Sequence, residues 1–286
     1  SSLDQVGPIG RTVADVARLL QVIAGPCSFD STSAKRPVDD YEGGLSNGVA
    51  GMRLGVPRQY LSDAVGLDDG VRTKIEEAIE VYRGLGAELV EVDLPHTPYC
   101  IATYYLVATA EASANLARYD GVRYGHRATL SGSEGLQELY ERSRGEGFGD
   151  EVKRRIILGT YALSSGYYDA YYDKACRVRR LIHDDFAAAL SQCDALIGPT
   201  SPVPAWSIGE MSDDPLSLYL MDIFTTSANL AGLPALSVPT AHHDNGMPVG
   251  LQIIGRHFDE STILQIGAAY TRAAGTTENR PPLGAR

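Results

Sequence analysis

Lys153, Arg154 and Arg155 form a cationic turn inside GFGDEVKRRIILGTYALSSGYYDAYY, residues 147–172, a segment that also holds five tyrosines. Val152, Ile156, Ile157 and Tyr161 recur at helical spacing, so one guanidinium of the arginine pair faces solvent while the other can turn toward the interior. An inward arginine needs an anion, either a substrate carboxylate or an internal acid, and its planar fork grips carboxylates bidentately. Two solvated arginines on a helix face are the plainer alternative. Asp222 carries the complementary charge. It stands in YLMDIFTTSANLAGLP among apolar and small residues, where an unpaired carboxylate is expensive to bury. It therefore meets an internal arginine in a structural salt bridge or waits for a cationic ligand. Tyr104 and Tyr105 either line the same cleft or pack in the core with a hydrogen-bonded hydroxyl.

Other patterns carry less chemistry. Gly44-Leu45-Ser46-Asn47-Gly48 matches the GxSxG nucleophile pattern, but that motif works on a strained strand-to-helix turn, and here it lies in a polar, glycine-rich connection. His242, His243 and Asp244 precede Asn245-Gly246, a turn signal, and read as the exposed tip of a hairpin rather than a metal site. His96, His126 and His257 have no partner at fixed spacing and read as surface or packing residues.

The elements that must position these residues define an α/β fold with a mixed, partly parallel sheet flanked by helices. Thr12–Ala24 is an amphipathic helix with Thr12 as N-cap, Asp15 as its capping-box partner and Gly25-Pro26 as the stop. A strand at Met52–Pro57, a helix from Asp68 to Leu85 ended by Gly86, and a strand at Ala87–Val92 make a crossover unit, which requires parallel pairing. From about residue 100 to 193 the chain reads as a helical insertion, with helices at Cys100–Arg118, Gly135–Arg144, Asp150–Leu163 and Tyr167–Ser191. Asp194–Gly198, Ala235–Val238 and Gly250–Ile254 are strands apolar enough to be buried on both faces. Tyr219–Leu230 reads as the helix holding Asp222, and Glu260–Ala274 as the closing helix.

With 286 residues, 44% of them hydrophobic and 21% charged, the chain suits one large α/β domain or two smaller ones, and is neither disordered nor fibrous. No apolar run is long enough to span a bilayer, and SSLDQVGPIG lacks the basic start and apolar centre of a signal peptide, so a cytoplasmic protein is expected. Cys27, Cys100, Cys176 and Cys193 are widely spaced, which fits reduced thiols rather than a disulfide framework or zinc site. A formal net charge of −11 argues against a nucleic-acid footprint on this chain, so any RNA contact is left to a partner.

Several blocks together resemble the amidotransferase A subunits of the amidase-signature family. They are SSLDQVGPIGRTVADVARLLQVIAG from Ser1, DSTS from Asp30, EASANLARYDGVRYG from Glu111, the tyrosine-rich block from Gly147, SANLAGLPALSVP from Ser227 and PVGLQIIG from Pro248. The tyrosine-rich block is particular to the amidotransferase subunits, whereas SSLDQVGP and NLAGLP are shared more widely among amidases. The resemblance implies a glutamine-hydrolysing subunit that supplies ammonia to amidate Glu-tRNA(Gln) or Asp-tRNA(Asn). It places the Ser, cis-Ser, Lys triad and the oxyanion-hole glycines upstream of SSLDQVGP, so residues 1–286 are expected to be the C-terminal portion of one amidase-type domain, without catalytic residues of their own. Ser1 and Ser2 match non-catalytic serines. By position in the matching blocks, Tyr104, Arg155 and Asp222 correspond to the residues that hold glutamine. Partners implied are a B subunit, which binds the misacylated tRNA and uses ATP and Mg²⁺, and a small C subunit completing a heterotrimer. Two alternatives stand beside this: a stand-alone amidase of another small amide, and a non-catalytic module that docks a partner subunit.

Overall fold

The structure, a computed structural model, describes residues 2–209, 218 and 220–276. Its chain order is α1 (Val13–Ile23), β1 (Arg53–Pro57), α2 (Asp69–Gly84), β2 (Glu88–Val92), α3 (Cys100–Leu116), α4 (Leu136–Gly147), α5 (Asp150–Ala162), α6 (Lys174–Leu190), β3 (Ala195–Pro199), α7 (Thr225–Ala231), β4 (Ala235–His242), β5 (Pro248–Ile254) and α8 (Glu260–Ala274). Two compact units emerge. One comprises Ile101–Arg180; the other comprises Ser2–Cys100 and the chain from Leu181 onward.

The second unit is built on a five-stranded sheet in the order β2-β1-β3-β5-β4. β1 pairs in parallel with β2 and β3, joined to β2 through the crossover helix α2, whereas β5 runs antiparallel to both β3 and β4. Val71, Ile75, Ala78, Ile79 and Tyr82 form the buried stripe of α2, and the Asp68 carboxylate caps it by accepting from Val71 N–H at 3.0 Å. The Tyr82 hydroxyl donates to the carbonyl of Ile266, tying α2 to α8. At the start of α1, Thr12 Oγ1 accepts from Asp15 N–H at 3.1 Å and Asp15 Oδ2 accepts from Thr12 N–H at 3.0 Å, the reciprocal cap expected from the sequence.

Of the three apolar strands, β3 is buried at every residue because it lies at the centre of the sheet. β4 departs from the expectation of burial on both faces. It is the terminal strand, and most of its residues are exposed or half-exposed. The segment expected as one helix over 219–230 is also different. Tyr219 lies outside the described residues; Leu220 is helical, residues 221–224 form a turn that interrupts the helix, and α7 begins at Thr225, with the Asp222 carbonyl accepting from Thr226 N–H at 2.9 Å.

In the Ile101–Arg180 unit, the fourth helix of the insertion does not begin as regular α-helix. Asp169–Asp173 is a π-helical turn, with Asp173 N–H donating to the Tyr168 carbonyl five residues back, and it leads into α6. The helical unit carries its own core at Thr103, Val107, Thr109, Ala110, Leu139 and Ala162.

Candidate functional site

Within the helical unit, α3 and α5 approach so closely that only a glycine fits at position 159. A Cβ there would lie 1.9 Å from the Thr109 carbonyl oxygen and 2.9 Å from Ser113 Cβ. One residue further on, the hydroxyls of Ser113 and Thr160 are hydrogen-bonded at 2.8 Å. This contact corrects the face read from the sequence. Gly159 and Ala162 are buried, Val152, Arg155 and Ile156 are half-buried, and Ile157 (69% exposed) and Tyr161 face outward. The smallest residue marks the interface, because burial here is set by backbone approach rather than by side-chain bulk.

A turn before Gly159, the same packing brings Arg155 of α5 to the tyrosines of α3. Arg155 Cζ lies 6.0 Å from the centre of the Tyr105 ring, and the Tyr104 and Tyr105 rings meet edge to face at 5.2 Å. Arg155 Nε donates to Glu151 Oε1 at 2.9 Å, and Arg154 Nη1 donates to the other oxygen, Oε2, at 2.9 Å. The two guanidiniums differ in setting: Arg154 is 56% exposed at its side chain and Arg155 35%. The hydrogen bond to Glu151 raises the pKa of Arg155 above its ordinary value; desolvation opposes this, and the Glu151 charge and the Tyr104 hydroxyl reinforce it. Arg155, rather than Arg154, is thus the cation that adjoins Tyr104. Residue type alone does not single out Glu151, although its spacing of three and four residues from the two arginines is the ordinary signature of helical ion pairs.

Asp222 belongs to the other unit, on the turn that leads into α7. The turn is fixed from beneath. Thr226 Oγ1 donates to the Asp222 carbonyl at 2.9 Å, Gln252 Nε2 of β5 donates to the Phe224 carbonyl at 3.1 Å, and Tyr60 meets the Phe224 ring at 4.7 Å. The Tyr60 hydroxyl is paired at 2.7 Å with Ser227 Oγ in a fully buried contact. Gly232, at φ +72°, supplies the left-handed residue that ends α7, and the chain then enters β4. Asp222 itself is exposed and engaged, which corrects the burial expected from its apolar neighbours: Ile223 and Phe224 turn inward beside it and leave the carboxylate at the surface.

The remaining sequence candidates resolve into structural roles. His243 is not a bare hairpin tip: its Nε2 lies 3.0 Å from Asp68 Oδ1, so the β4–β5 turn docks onto the cap of α2. His96 pairs through Nδ1 with Asp185 at 2.9 Å and His126 through Nε2 with Glu146 at 2.7 Å, partners invisible to local spacing because they lie 89 and 20 residues away. Gly44-Leu45-Ser46-Asn47-Gly48 lies in turns and irregular chain outside any strand or helix, without the context a nucleophile elbow needs. Tyr161, Tyr167 and Tyr171 form an exposed cluster with ring centres 4.6–6.0 Å apart. No described helix is long and apolar enough to cross a membrane.

A mixed sheet flanked by helices, together with a helical unit that presents a tyrosine-flanked arginine, defines an α/β protein of the amidase type. Residues 1–264 match the Amidase family, to which the chain belongs. It is 58% identical over 283 residues to the A subunit of a glutamyl-tRNA(Gln) amidotransferase from Myxococcus xanthus, covering 99% of this chain and 57% of that protein. Its identity to the protein of the same name from Geobacter metallireducens is 56%, covering 96% and 56%. Among solved structures it is similar to the A subunit of glutamyl-tRNA(Gln) amidotransferase from Thermotoga maritima, at 44% identity and a TM-score of 0.74, covering 95% of this chain and 53% of that one. A peptide amidase from Stenotrophomonas maltophilia is similar at 29% identity and a TM-score of 0.71, covering 98% and 55%. The chain therefore spans a little over half the length of these relatives.

Proposed function

We propose that this chain is the glutamine-binding part of an amidase-type subunit that hydrolyses glutamine for a tRNA-dependent amidotransferase, acting on Glu-tRNA(Gln) or Asp-tRNA(Asn). The observation that carries the reading is Arg155 beside Tyr104 and Tyr105, within a block that resembles the amidotransferase subunits; the high identity to relatives of that name supports it. On the helical unit, Arg155 takes the α-carboxylate of glutamine and Tyr104 supplies a hydroxyl and an aromatic wall. On the sheet unit, Asp222 is assigned the α-ammonium. Opposite charges in these roles suit a zwitterionic amino acid and penalise a neutral amide.

Bond cleavage is assigned to a Ser, cis-Ser, Lys triad that lies outside residues 1–286. The nucleophilic serine attacks the side-chain amide carbon, the C–N bond breaks with protonation of the leaving nitrogen to release ammonia, and water then hydrolyses the glutamyl ester to glutamate. Residues 1–286 form a C-terminal portion of one amidase-type domain, with the helical insertion over about 100–193. The partners proposed are a B subunit, holding the misacylated tRNA with ATP and Mg²⁺, and a C subunit completing a cytoplasmic heterotrimer. The acidic balance of this chain is in keeping with leaving tRNA to the partner.

The test is steady-state glutaminase kinetics of the full-length subunit in its complex. Arg155→Ala and Asp222→Asn each remove a charge-assisted hydrogen bond contributing about 1.5–3 kcal/mol, so the KM for glutamine is expected to rise about tenfold to a hundredfold. Hydrolysis of a neutral small amide should be unaffected by either change. Unchanged KM for glutamine in Arg155→Ala would reject the assignment, and neutral amides preferred over glutamine by the unaltered protein would favour the stand-alone amidase.

A further inference from the structure

We infer that Glu151 is a positioning residue for glutamine: by occupying Nε of Arg155, it leaves the terminal Nη fork of that guanidinium directed to the α-carboxylate. The inference rests on the proposed role of Arg155. A guanidinium presents five N–H groups in a rigid plane, and a carboxylate can engage it either along the edge holding Nε or along the edge formed by the two Nη atoms. In this structure Glu151 Oε1 accepts from Arg155 Nε at 2.9 Å. The Nε–H is therefore in use and the Tyr104 hydroxyl also bonds this guanidinium, so a second carboxylate is received on the remaining N–H groups of the Nη side.

Glu151 is itself fixed. Its Oε2 accepts from Arg154 Nη1 at 2.9 Å, so both carboxylate oxygens are engaged and the group bridges two successive guanidiniums. The exposed Arg154 thereby orients the acid that orients Arg155. On the other flank the Tyr105 ring lies 6.0 Å from Arg155 Cζ. An arginine with four rotatable side-chain bonds is held by the acid on one side and aromatic rings on another before any ligand arrives, which lowers the entropy lost on binding.

The plainer role of Glu151 is a helical one. It lies with Asp150 in the first turn of α5, where both acids complement the positive helix end. Asp150 supplies the control for this, because it occupies the same turn and its only described ion pair is to Lys153 at 3.7 Å, not to Arg155.

The experiment measures glutamine kinetics in the full-length subunit within its complex for Glu151→Ala, Glu151→Gln, Asp150→Ala and Arg155→Ala, and for the Glu151→Ala/Arg155→Ala pair. Glu151→Ala is expected to raise the KM for glutamine about fivefold with kcat little changed, a modest effect because the pair is partly exposed. Glu151→Gln should recover part of the loss, since an amide oxygen still accepts the Nε–H. Asp150→Ala should leave KM unchanged. The Glu151→Ala effect should vanish in the Arg155→Ala background and with 4-aminobutyramide, which lacks the α-carboxylate. An increase no larger than that of Asp150→Ala, or one that persists without Arg155 or with 4-aminobutyramide, overturns the inference. If Arg155→Ala raises KM and Glu151→Ala does not, only the positioning role fails. If Arg155→Ala itself has no effect, the proposed function fails and takes this inference with it.

Discussion

Replacing Gly159 by alanine tests whether the α3–α5 contact controls both the stability of the helical unit and the placement of Arg155. The added Cβ would sit 1.9 Å from the Thr109 carbonyl oxygen, whereas ordinary van der Waals contact begins near 3.4 Å, so the two helices must separate by roughly 1.5 Å along that direction. The obstructing atom is backbone inside a helix and cannot rotate away. Overpacking of this kind costs about 1–3 kcal/mol, and the upper end applies here. Alanine returns about 1 kcal/mol of helix propensity over glycine, leaving a net loss of about 2 kcal/mol. Arg155 on α5 and Tyr105 on α3 each lie four residues before the points of collision, so the same displacement moves the guanidinium away from the rings. A misplacement of about 1 Å can lower activity by up to about a hundredfold, and a rise of at least tenfold in KM for glutamine is expected. Gly145 in α4 has no atom within 4 Å of its added Cβ, so Gly145→Ala should instead stabilise by about 0.5–1 kcal/mol. Urea unfolding followed by far-ultraviolet circular dichroism, together with glutaminase kinetics on the full-length subunit, reads both effects. A Gly159→Ala protein stabilised to the same degree as Gly145→Ala would refute the reasoning.

Asp68→Ala should lower stability by about 1 kcal/mol through loss of the α2 cap, measured by urea midpoint. Burial pushes the Asp68 carboxyl up, but the Val71 N–H and the His243 ring outweigh it, and the pKa is lowered overall. A depressed carboxylate contributes stability that is complete above its unfolded value and disappears as pH falls through the lower folded value, so the difference between Asp68→Asn and the unaltered protein should shrink below about pH 4. Tyr60→Phe removes one buried hydrogen bond while Ser227 Oγ keeps its bond to the Phe224 carbonyl at 2.8 Å, so a loss of about 1 kcal/mol is expected from thermal or urea unfolding. A disulfide reagent at pH 8 should modify the exposed Cys27 first, because burial pushes the Cys100 thiol up to about 12 and the Cys193 thiol up to about 11; rapid reaction of either buried thiol without denaturant would contradict this.

Elements set by local rules are legible in the sequence to within a residue or two. Thr12 and Asp15 announce α1, Asp68 announces α2, and the Glu260–Ala274 boundaries agree with those expected. Three features are not legible, and each depends on contacts beyond the local pattern. The solvent-facing residues of β4 cannot be read from its composition, because an apolar strand looks the same at the centre and the edge of a sheet. The interruption at 221–224 before α7 is accompanied by the Asp222 carbonyl accepting from the Thr225 and Thr226 hydroxyls as well as from a backbone N–H, contacts that hydrophobic periodicity does not report. The buried face of α5 is misread when hydrophobicity is weighed above size, since Gly159 outranks Ile157 wherever two backbones touch.

The arginine pair shows why the choice of Arg155 for the proposed clamp rests on packing rather than on residue type. Arg154 and Arg155 are adjacent, identical in chemistry and bound to the same carboxylate. A helix turns by about 100° between neighbours, so only one of them shares the face that Gly159 draws onto α3. That one meets Tyr104 and Tyr105 and loses part of its hydration, and a guanidinium in partly desolvated surroundings attracts an incoming carboxylate more strongly than one in bulk water. The other remains more exposed, where its attraction is largely screened and its remaining use is to hold Glu151. Exchanging the two settings would require rotating α5 against α3, and the Cβ geometry at Gly159 forbids a larger residue from taking its place at the contact. The sequence spacing of Glu151, Arg155 and Gly159, about one helical turn between successive members, therefore places the acid, the cation it bonds and the helix contact along one side of α5.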